Sequence, residues 1–290
     1  SVIADEINVV SELLTLLVEA FQGNEYTQHL ESRLRDKGYI SLGIPGGTTT
    51  LMVAMAVASP DVVSLLLKYG ANVESVDVMG NDGFMLASAF GRPKNLQCWF
   101  ERVKDWDLNR RHMFGGCALG HAVYMGANKV ETVKTLVNIS TSLEYRTFNG
   151  GNVLIDTISN EDSDPEVLCL ILEKLRASSY NAKEFSSIIN YTKSSTTLKW
   201  KGIHFVAKAL YRTGVSKTGL MQSLALDSGT SALNLAVIRG DVEIVKILLE
   251  NGANPYITND LGMSAFDNCD KCGPFPSVLT ALQEYDTKET

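Results

Sequence analysis

The sequence has little of what marks disulfide-rich, membrane-spanning or nucleic-acid-binding proteins. Five widely spaced cysteines among 290 residues are too few for a disulfide framework, so we expect a cytoplasmic or other reducing compartment, with an organelle not excluded. The longest strongly apolar run, residues 51–58, is too short to cross a bilayer, so no transmembrane segment is expected. The 26 basic residues are outnumbered by 33 acidic ones, and the net charge of −7 argues against nucleic acid as the main partner.

What the chain does contain is a repeated segment, which is clearest at residues 229–261. This repeat begins at Gly229, turns at Gly240 after a short apolar segment, continues with a second amphipathic segment and ends near Gly252. The next repeat begins 33 residues later at Gly262. A fixed period of this length is typical of proteins built by stacking one small structural element many times.

Glycines in the same phase open each repeat, at positions 47, 80, 115, 150, 229 and 262. An alanine follows seven residues after the opening glycine in four of the five complete repeats, and Thr157 replaces it in the fourth. We interpret this position as a packing site between neighbouring helices, where only a small side chain lets the backbones approach. The 79 residues between Gly150 and Gly229 fit two repeats plus an insertion of about a dozen residues.

The repeat resembles an ankyrin repeat. The ankyrin signature T-P-L-H-x-A reads Ser231-Ala232-Leu233-Asn234-Leu235-Ala236 in the clearest copy and Thr49-Thr50-Leu51-Met52-Val53-Ala54 in the first. The resemblance implies an all-α ankyrin-repeat solenoid, in which helix-turn-helix layers are joined by short β-hairpin loops, with about six repeats between two caps. It also implies that the chain recognises another protein through a concave groove and hairpin tips.

The period divides the chain into a cap at each end and six repeats. The predicted boundaries are an N-terminal helical cap at 1–46, repeats at 47–79, 80–114, 115–149, 150–190, 191–228 and 229–261, and a C-terminal capping repeat at 262–290. A polar, serine-rich insertion is expected from Tyr180 to Ser194, with a short helix around Phe185 and Ile189. Residues 197–225 are predicted to form a divergent fifth repeat.

In an ankyrin solenoid the hairpin tips and the ends of the first helices face the groove, and in repeats one to three they are apolar at nearly every position. The residues at these positions are Val57, Val78, Met79, Phe90, Met113, Phe114, Tyr124, Met125 and Phe148. Because a contiguous apolar strip on a protein surface marks an interaction site, we predict that they bind a partner with an apolar surface. Arg110, Arg111 and Arg146 are expected to flank the strip and to meet acidic groups on that partner. The alternatives are that the tips fold over each other or over the insertion, and that the arginines are ordinary solvated charges.

His121 and Asp156 occupy the same position in neighbouring repeats, six residues after the opening glycine. Because buried polar groups need partners, we predict a structural hydrogen bond between them. Cys117 lies four residues before His121, which leaves a catalytic alternative built on Cys117, His121 and Asp156. Cys269 and Cys272 form a lone Cys-x-x-Cys pair without a second pair at zinc-ligand spacing, so no metal or other cofactor is expected.

Together these features predict a non-catalytic protein–protein interaction scaffold, or a subunit of a larger complex, that binds its partner through repeats one to four. Nucleic acid and small-molecule ligands are not expected. The alternative is a targeting or regulatory ankyrin domain of a longer enzyme or channel, whose activity would lie outside these residues. Cys98, Cys117 and Cys169 are predicted to be small core residues.

Overall fold

The computed structural model describes residues 44–160, 163–178, 181–213, 224–273 and 275–289. Nearly all of the predicted N-terminal cap and residues 214–223 of the predicted fifth repeat lie outside the described residues. Within those ranges the regular structure is helical and contains no extended strand, although Thr192 and Ser231 form an isolated antiparallel bridge. The all-α prediction is therefore confirmed.

The chain forms two compact units, residues 1–142 and residues 143–290. Three helix pairs make up the described part of the N-terminal unit: α1 (Thr50–Val57) with α2 (Pro60–Lys68), α3 (Gly83–Ala89) with α4 (Pro93–Arg102), and α5 (Ala118–Tyr124) with α6 (Lys129–Asn138). The first helix of each pair packs against the first helix of the next pair, and the second helices pack in the same way. The core of this unit therefore runs through successive layers, as expected for stacked repeats.

The C-terminal unit contains the remaining helices. These are α7 (Val153–Ser159), α8 (Pro165–Ala177), α9 (Ala182–Ile189), α10 (Leu198–Thr213), α11 (Ala232–Arg239), α12 (Val242–Glu250), α13 (Ala265–Cys272) and α14 (Pro276–Glu289). Helices α7 and α8 of repeat four pack directly against α11 and α12 of repeat six, which pack in turn against α13 and α14. The segment predicted to form a fifth layer between repeats four and six therefore does not separate them. Helix α9 is the short helix predicted in the insertion.

The opening glycines explain the period of the sequence. All six have positive φ angles, from 73° at Gly229 to 95° at Gly150. Only glycine adopts this backbone conformation without a steric penalty, so each hairpin needs a glycine where the chain turns into the next helix. Two residues later the side chains of Thr49, Asp82, Asn152, Ser231 and Ser264 each accept a backbone N–H bond and cap a first helix.

The packing position seven residues after each opening glycine is buried, as the sequence predicts. Ala54, Ala87, Ala122 and Ala236 are inaccessible to solvent. Thr157 is buried as well, and its hydroxyl donates to the carbonyl oxygen of Val153 at 2.7 Å. This bond back to the preceding turn satisfies the hydroxyl, so threonine is tolerated where the other repeats have alanine.

Candidate partner-binding surface

Two adjacent hairpin tips of the N-terminal unit expose apolar side chains on a hydrogen-bonded backbone. The N–H of Val78 donates to the Gly46 carbonyl at 3.0 Å, and the N–H of Met113 donates to the Met79 carbonyl at 2.9 Å. The side chains of Val78 and Met113 are 58% and 54% exposed, and those of Met79 and Phe114 are also exposed. We call these four residues, Val78, Met79, Met113 and Phe114, the tip cluster.

Side-chain hydrogen bonds fix the shape of both tips. The Asp77 carboxylate accepts bonds from the N–H of Met79, the N–H of Asn81 and the Asn81 side-chain amide. His112 takes the corresponding place in the next repeat, where its Nδ1 accepts from the N–H of Phe114 at 3.1 Å. Because the hairpins are held in place before any partner arrives, little conformational entropy remains to be lost on binding.

Two histidine rings connect the tip cluster to helix α5. The His112 ring lies 5.8 Å from the Phe114 ring and 4.8 Å from the His121 ring, measured between centroids. Nε2 of His121 lies 3.1 Å from Oδ1 of Asn81, a geometry in which the imidazole N–H donates to the amide oxygen. Burial, together with the neighbouring His112, lowers the pKa of His121 to about 3. Burial also lowers the pKa of His112, against the attraction of Asp77. Both rings are therefore neutral at pH 7.

Tyr124 and Met125 continue this surface at the end of α5. They follow His121 by three and four residues, so they lie on the same side of the helix. Their side chains are 47% and 52% exposed. We group them with the tip cluster and call these six exposed residues the apolar strip: Val78, Met79, Met113, Phe114, Tyr124 and Met125. Phe90, at the C-terminal end of α3, is partly exposed.

Comparison with known proteins agrees with this geometry. The ankyrin-repeat family model matches residues 46–78 and 228–260. This chain carries ankyrin repeats. Among solved structures, the ankyrin repeat domain of Bcl-3, described as a unique member of the IkappaB protein family, is 20% identical, with a TM-score of 0.58 over 97% of this chain and 95% of that chain. At this identity the likeness shows a shared fold.

The human ASB11 ankyrin repeat domain is a further structural relative, 18% identical, with a TM-score of 0.48 over 82% of this chain and 98% of that chain. A search of curated protein sequences found no match. Ankyrin repeats generally mediate protein–protein interactions, and ankyrin domains are typically non-catalytic.

Val57 does not belong to the exposed surface of these ankyrin repeats. Its side chain is only 2% exposed, because α1 is apolar throughout and residues 51–57 are all buried. The Arg92 guanidinium of the next repeat donates to the carbonyls of Val57 and Ala58 at 3.1 and 2.7 Å. Asn95 donates to the Ala58 carbonyl as well, so the end of α1 is covered by repeat two.

The predicted flanking arginines are largely engaged within their own units. Arg110 forms an ion pair with Glu74 at 2.6 Å, and its guanidinium lies 4.6 Å over the Trp106 ring. In the C-terminal unit the Arg146 guanidinium lies 4.1 Å over the Tyr191 ring. These contacts fix both side chains, so neither is an open charge waiting for a partner. Arg111 is exposed, although its guanidinium donates to a nearby backbone carbonyl.

Phe148 opens the ankyrin hairpin of repeat four in the C-terminal unit. Its side chain is 37% exposed, whereas its carbonyl accepts bonds from the N–H and the hydroxyl of Thr196 at 3.0 and 3.2 Å. Thr196, two residues after the predicted insertion, therefore covers the backbone of this tip and leaves the ring accessible.

His121 and Asp156 each have a neighbour within their own unit. His121 contacts Asn81, as described above, while the Asp156 carboxylate lies against Gly151. Burial raises the pKa of Asp156 to about 6. His121 thus has a hydrogen-bond partner in its own unit, and a bond between His121 and Asp156 stays a prediction.

A buried polar cluster in the C-terminal unit escaped the sequence analysis. Oγ of Ser195 lies 2.9 Å from Nδ1 of His204, and Nε2 of His204 lies 3.9 Å from the Asp227 carboxylate, which forms an ion pair with Lys193 at 2.5 Å. The residue types are those of a Ser-His-Asp triad. However, Ser195 and His204 are 8% and 4% exposed, and Asp227 bonds to Lys193 instead of the imidazole. This geometry favours a structural role in fixing the insertion.

The cysteines show no sign of chemical activation. Cys117 is buried at the N-terminal end of α5, which weighs against the catalytic alternative. Burial raises the pKa of the Cys269 and Cys272 thiols, so neither is poised as a thiolate. Cys98 is buried as predicted, but Cys169 is exposed because it lies on the outer side of α8.

Two further searches concern the described residues only. None of the helices there combines the length and hydropathy needed to span a membrane. In the same part of the chain, no three histidine, cysteine or acidic side chains converge on a possible metal site.

Proposed function

We propose that this chain is a non-catalytic protein-binding scaffold, or a subunit of a larger complex, and that the apolar strip of the N-terminal unit is its binding surface. The observation that carries the proposal is the tip cluster: four large apolar side chains on adjacent hairpins whose backbone is already hydrogen-bonded. The flanking histidines are neutral at pH 7, so the strip carries no charge of its own. An apolar segment of another protein is the partner that fits.

Burial of the strip would supply free energy for binding. Its six side chains are about half exposed, so covering them, at about 1.5 to 3 kcal/mol for a fully exposed side chain, supplies about 4 to 9 kcal/mol before the costs of association. Methionine makes up half of the six residues, and its flexible thioether adapts to irregular partner surfaces. Phe114 and Tyr124 provide the rigid aromatic contacts that interface centres favour.

The test is co-purification from the native source with a tagged full-length chain. The variant Phe114→Glu should lose the partner that the wild type retains, because it places a charge at the centre of the strip. Phe100→Glu is the matched control: Phe100 and Phe114 are both 43% exposed, but Phe100 lies on α4, outside the strip. An unchanged set of partners with Phe114→Glu, at unchanged thermal stability, would refute the proposal.

A further inference from the structure

Helix α10 of the C-terminal unit exposes a second apolar surface, separate from the strip. Leu198 and Phe205 are 87% and 71% exposed, more than any other large apolar residue in the described part of the chain. Val206 is 52% exposed and Ala209 is exposed as well. These side chains share one face of the helix, since they are separated by seven, eight and eleven residues.

Contacts on more than one side of α10 fix the orientation of the helix. His204 and Ala207 are buried against the rest of the unit. Lys208 forms an ion pair with the Asp260 carboxylate at 2.6 Å, and Arg212 donates to the Asp260 carbonyl at 3.0 Å. The helix is therefore attached mainly through the face that carries His204 and Ala207, and the face that carries Leu198 and Phe205 is exposed.

The exposed face has the spacing of a helix-packing surface. Leu198, Gly202, Phe205 and Ala209 follow one another at intervals of four, three and four residues, the repeat of a coiled-coil contact. Large and small side chains alternate along this line, and a Cβ placed on Gly202 would meet nothing within 4 Å. A partner helix can therefore insert side chains beside Phe205, as knobs enter holes.

The charge around this face has one sign. Helix α10 carries four basic residues and no acidic one, although the whole chain has a net charge of −7. Asp260 holds Lys208 and Arg212. Lys199 and Lys201 are exposed and border the apolar face on opposite sides, at the positions where coiled-coil helices exchange ion pairs.

We propose that α10 binds an acidic amphipathic helix of another protein. Apolar side chains of that helix would pack over Gly202 and Ala209 against Leu198 and Phe205, while its carboxylates would face Lys199 and Lys201. A membrane surface also attracts a basic amphipathic helix, but lipid does not require alternating large and small side chains at a coiled-coil spacing. This surface goes beyond the proposed function, because it lies on a different unit and selects a charged partner.

The test uses the full-length chain and two synthetic helical peptides, stapled so that they remain monomeric. Both carry leucine at the contact positions; one has glutamate and the other lysine at the flanking positions. Fluorescence anisotropy should show binding of the glutamate peptide and at least about tenfold weaker binding of the lysine peptide. Phe205→Glu should weaken binding of the glutamate peptide by about tenfold or more. The double variant Lys199→Glu/Lys201→Glu should reverse the preference.

Met113→Glu is the control, because it disrupts the strip of the N-terminal unit and should leave peptide binding unchanged. The inference and the proposed function can thus fail independently. Absence of binding, equal binding of both peptides, or binding that survives Phe205→Glu would refute the inference. It would also be refuted if the chain alone sedimented with phosphatidylcholine–phosphatidylserine vesicles through this face, or dimerised through it, since either result identifies a different occupant.

Discussion

The hairpin tips of the two units solve the same backbone problem in different ways. In the N-terminal unit the tip of one repeat donates directly to the preceding tip, from Met113 to Met79. In the C-terminal unit Asp260 donates to Ser228 in the same way, but between repeats four and six residues 192–196, at the end of the insertion and just after it, take that place. Thr196 donates to the Phe148 carbonyl, while Lys193 donates to the Thr230 carbonyl and accepts from the Gly229 N–H.

The comparison shows that the backbone groups at a hairpin tip always need hydrogen-bond partners, whereas the segment that provides those partners can differ. Backbone N–H and C=O groups at a tip need partners, which either the neighbouring repeat or an inserted segment can provide. Where neighbouring repeats provide these backbone hydrogen bonds for each other, the methionine and phenylalanine side chains of the tips remain exposed. Where the insertion supplies the bonds, a buried polar cluster forms behind it and the exposed apolar surface lies on α10 instead.

We expect the largest effect from breaking the ion pair between Lys193 and Asp227. Asp227→Ala leaves Lys193, whose side chain is only 6% exposed, as an uncompensated buried charge. Breaking such a pair should lower the free energy of unfolding of the C-terminal unit by about 3 kcal/mol. Urea unfolding and amide hydrogen exchange measure the effect, with faster exchange expected at residues 192–196 and protection retained in α1–α6.

Lys193→Met provides the control for this prediction. It should cost less than Asp227→Ala, because Asp227 is 23% exposed and remains partly hydrated. The double variant Lys193→Met/Asp227→Leu should recover most of the lost stability, since no buried charge remains. If Asp227→Ala were as stable as the wild type, the ion pair would not be what holds the insertion, and the contrast between the units would lose its energetic basis.

A second prediction uses one repeat position that holds His121 in the N-terminal unit and Asp156 in the C-terminal unit. Burial lowers the pKa of His121 from 6.5 to about 3, so the unfolded chain binds the proton more tightly in this range. The wild type should therefore lose stability as pH falls from about 6.5. His121→Gln should remove about 1 to 2 kcal/mol of this loss at about pH 5 in urea unfolding.

Asp156 should respond in the opposite direction. Burial raises its pKa from 3.8 to about 6, so the folded chain holds the proton more tightly and stability falls as pH rises from about 4 to 6. Asp156→Asn should therefore stabilise the chain by about 1 to 2 kcal/mol at pH 7, with no gain below about pH 4. If the stability gained by the two variants changed with pH in the same direction, burial would not have opposite effects on the pKa values of His121 and Asp156.

The smallest expected effect concerns the turn after each second helix. Ser140 has a φ angle of 70° in the N-terminal unit, where the corresponding residue of the C-terminal unit, Gly252, has 87°. Ser140→Gly should stabilise the chain by about 0.5 to 1 kcal/mol because it relieves a strained backbone. Gly252→Ser should cost a similar amount, since its Cβ meets no atom within 4 Å and only the φ angle matters. Thermal unfolding of the two variants checks this reciprocity.

The sequence predicted the features that follow from short-range rules. The small residues seven positions after the opening glycines predicted a packed helix, and the repeat period with its resemblance to the ankyrin signature predicted the ankyrin fold. Exposed tips could also be predicted, because a hairpin tip such as Met113 protrudes wherever the repeat occurs. The insertion helix around Phe185 followed from its local pattern in the same way.

Only the tertiary structure decided how distant segments replace one another. Val57 occupies a nominally exposed position, but Arg92 of the next repeat covers the end of its helix. The sequence analysis predicted a fifth layer between repeats four and six, but these two repeats are in direct contact. Lys193, Ser195, His204 and Asp227 lie together although no spacing in the sequence connects them. The physical reason is that a repeat's backbone requires a hydrogen-bond donor of the right geometry at its tip but does not specify which part of the chain supplies it.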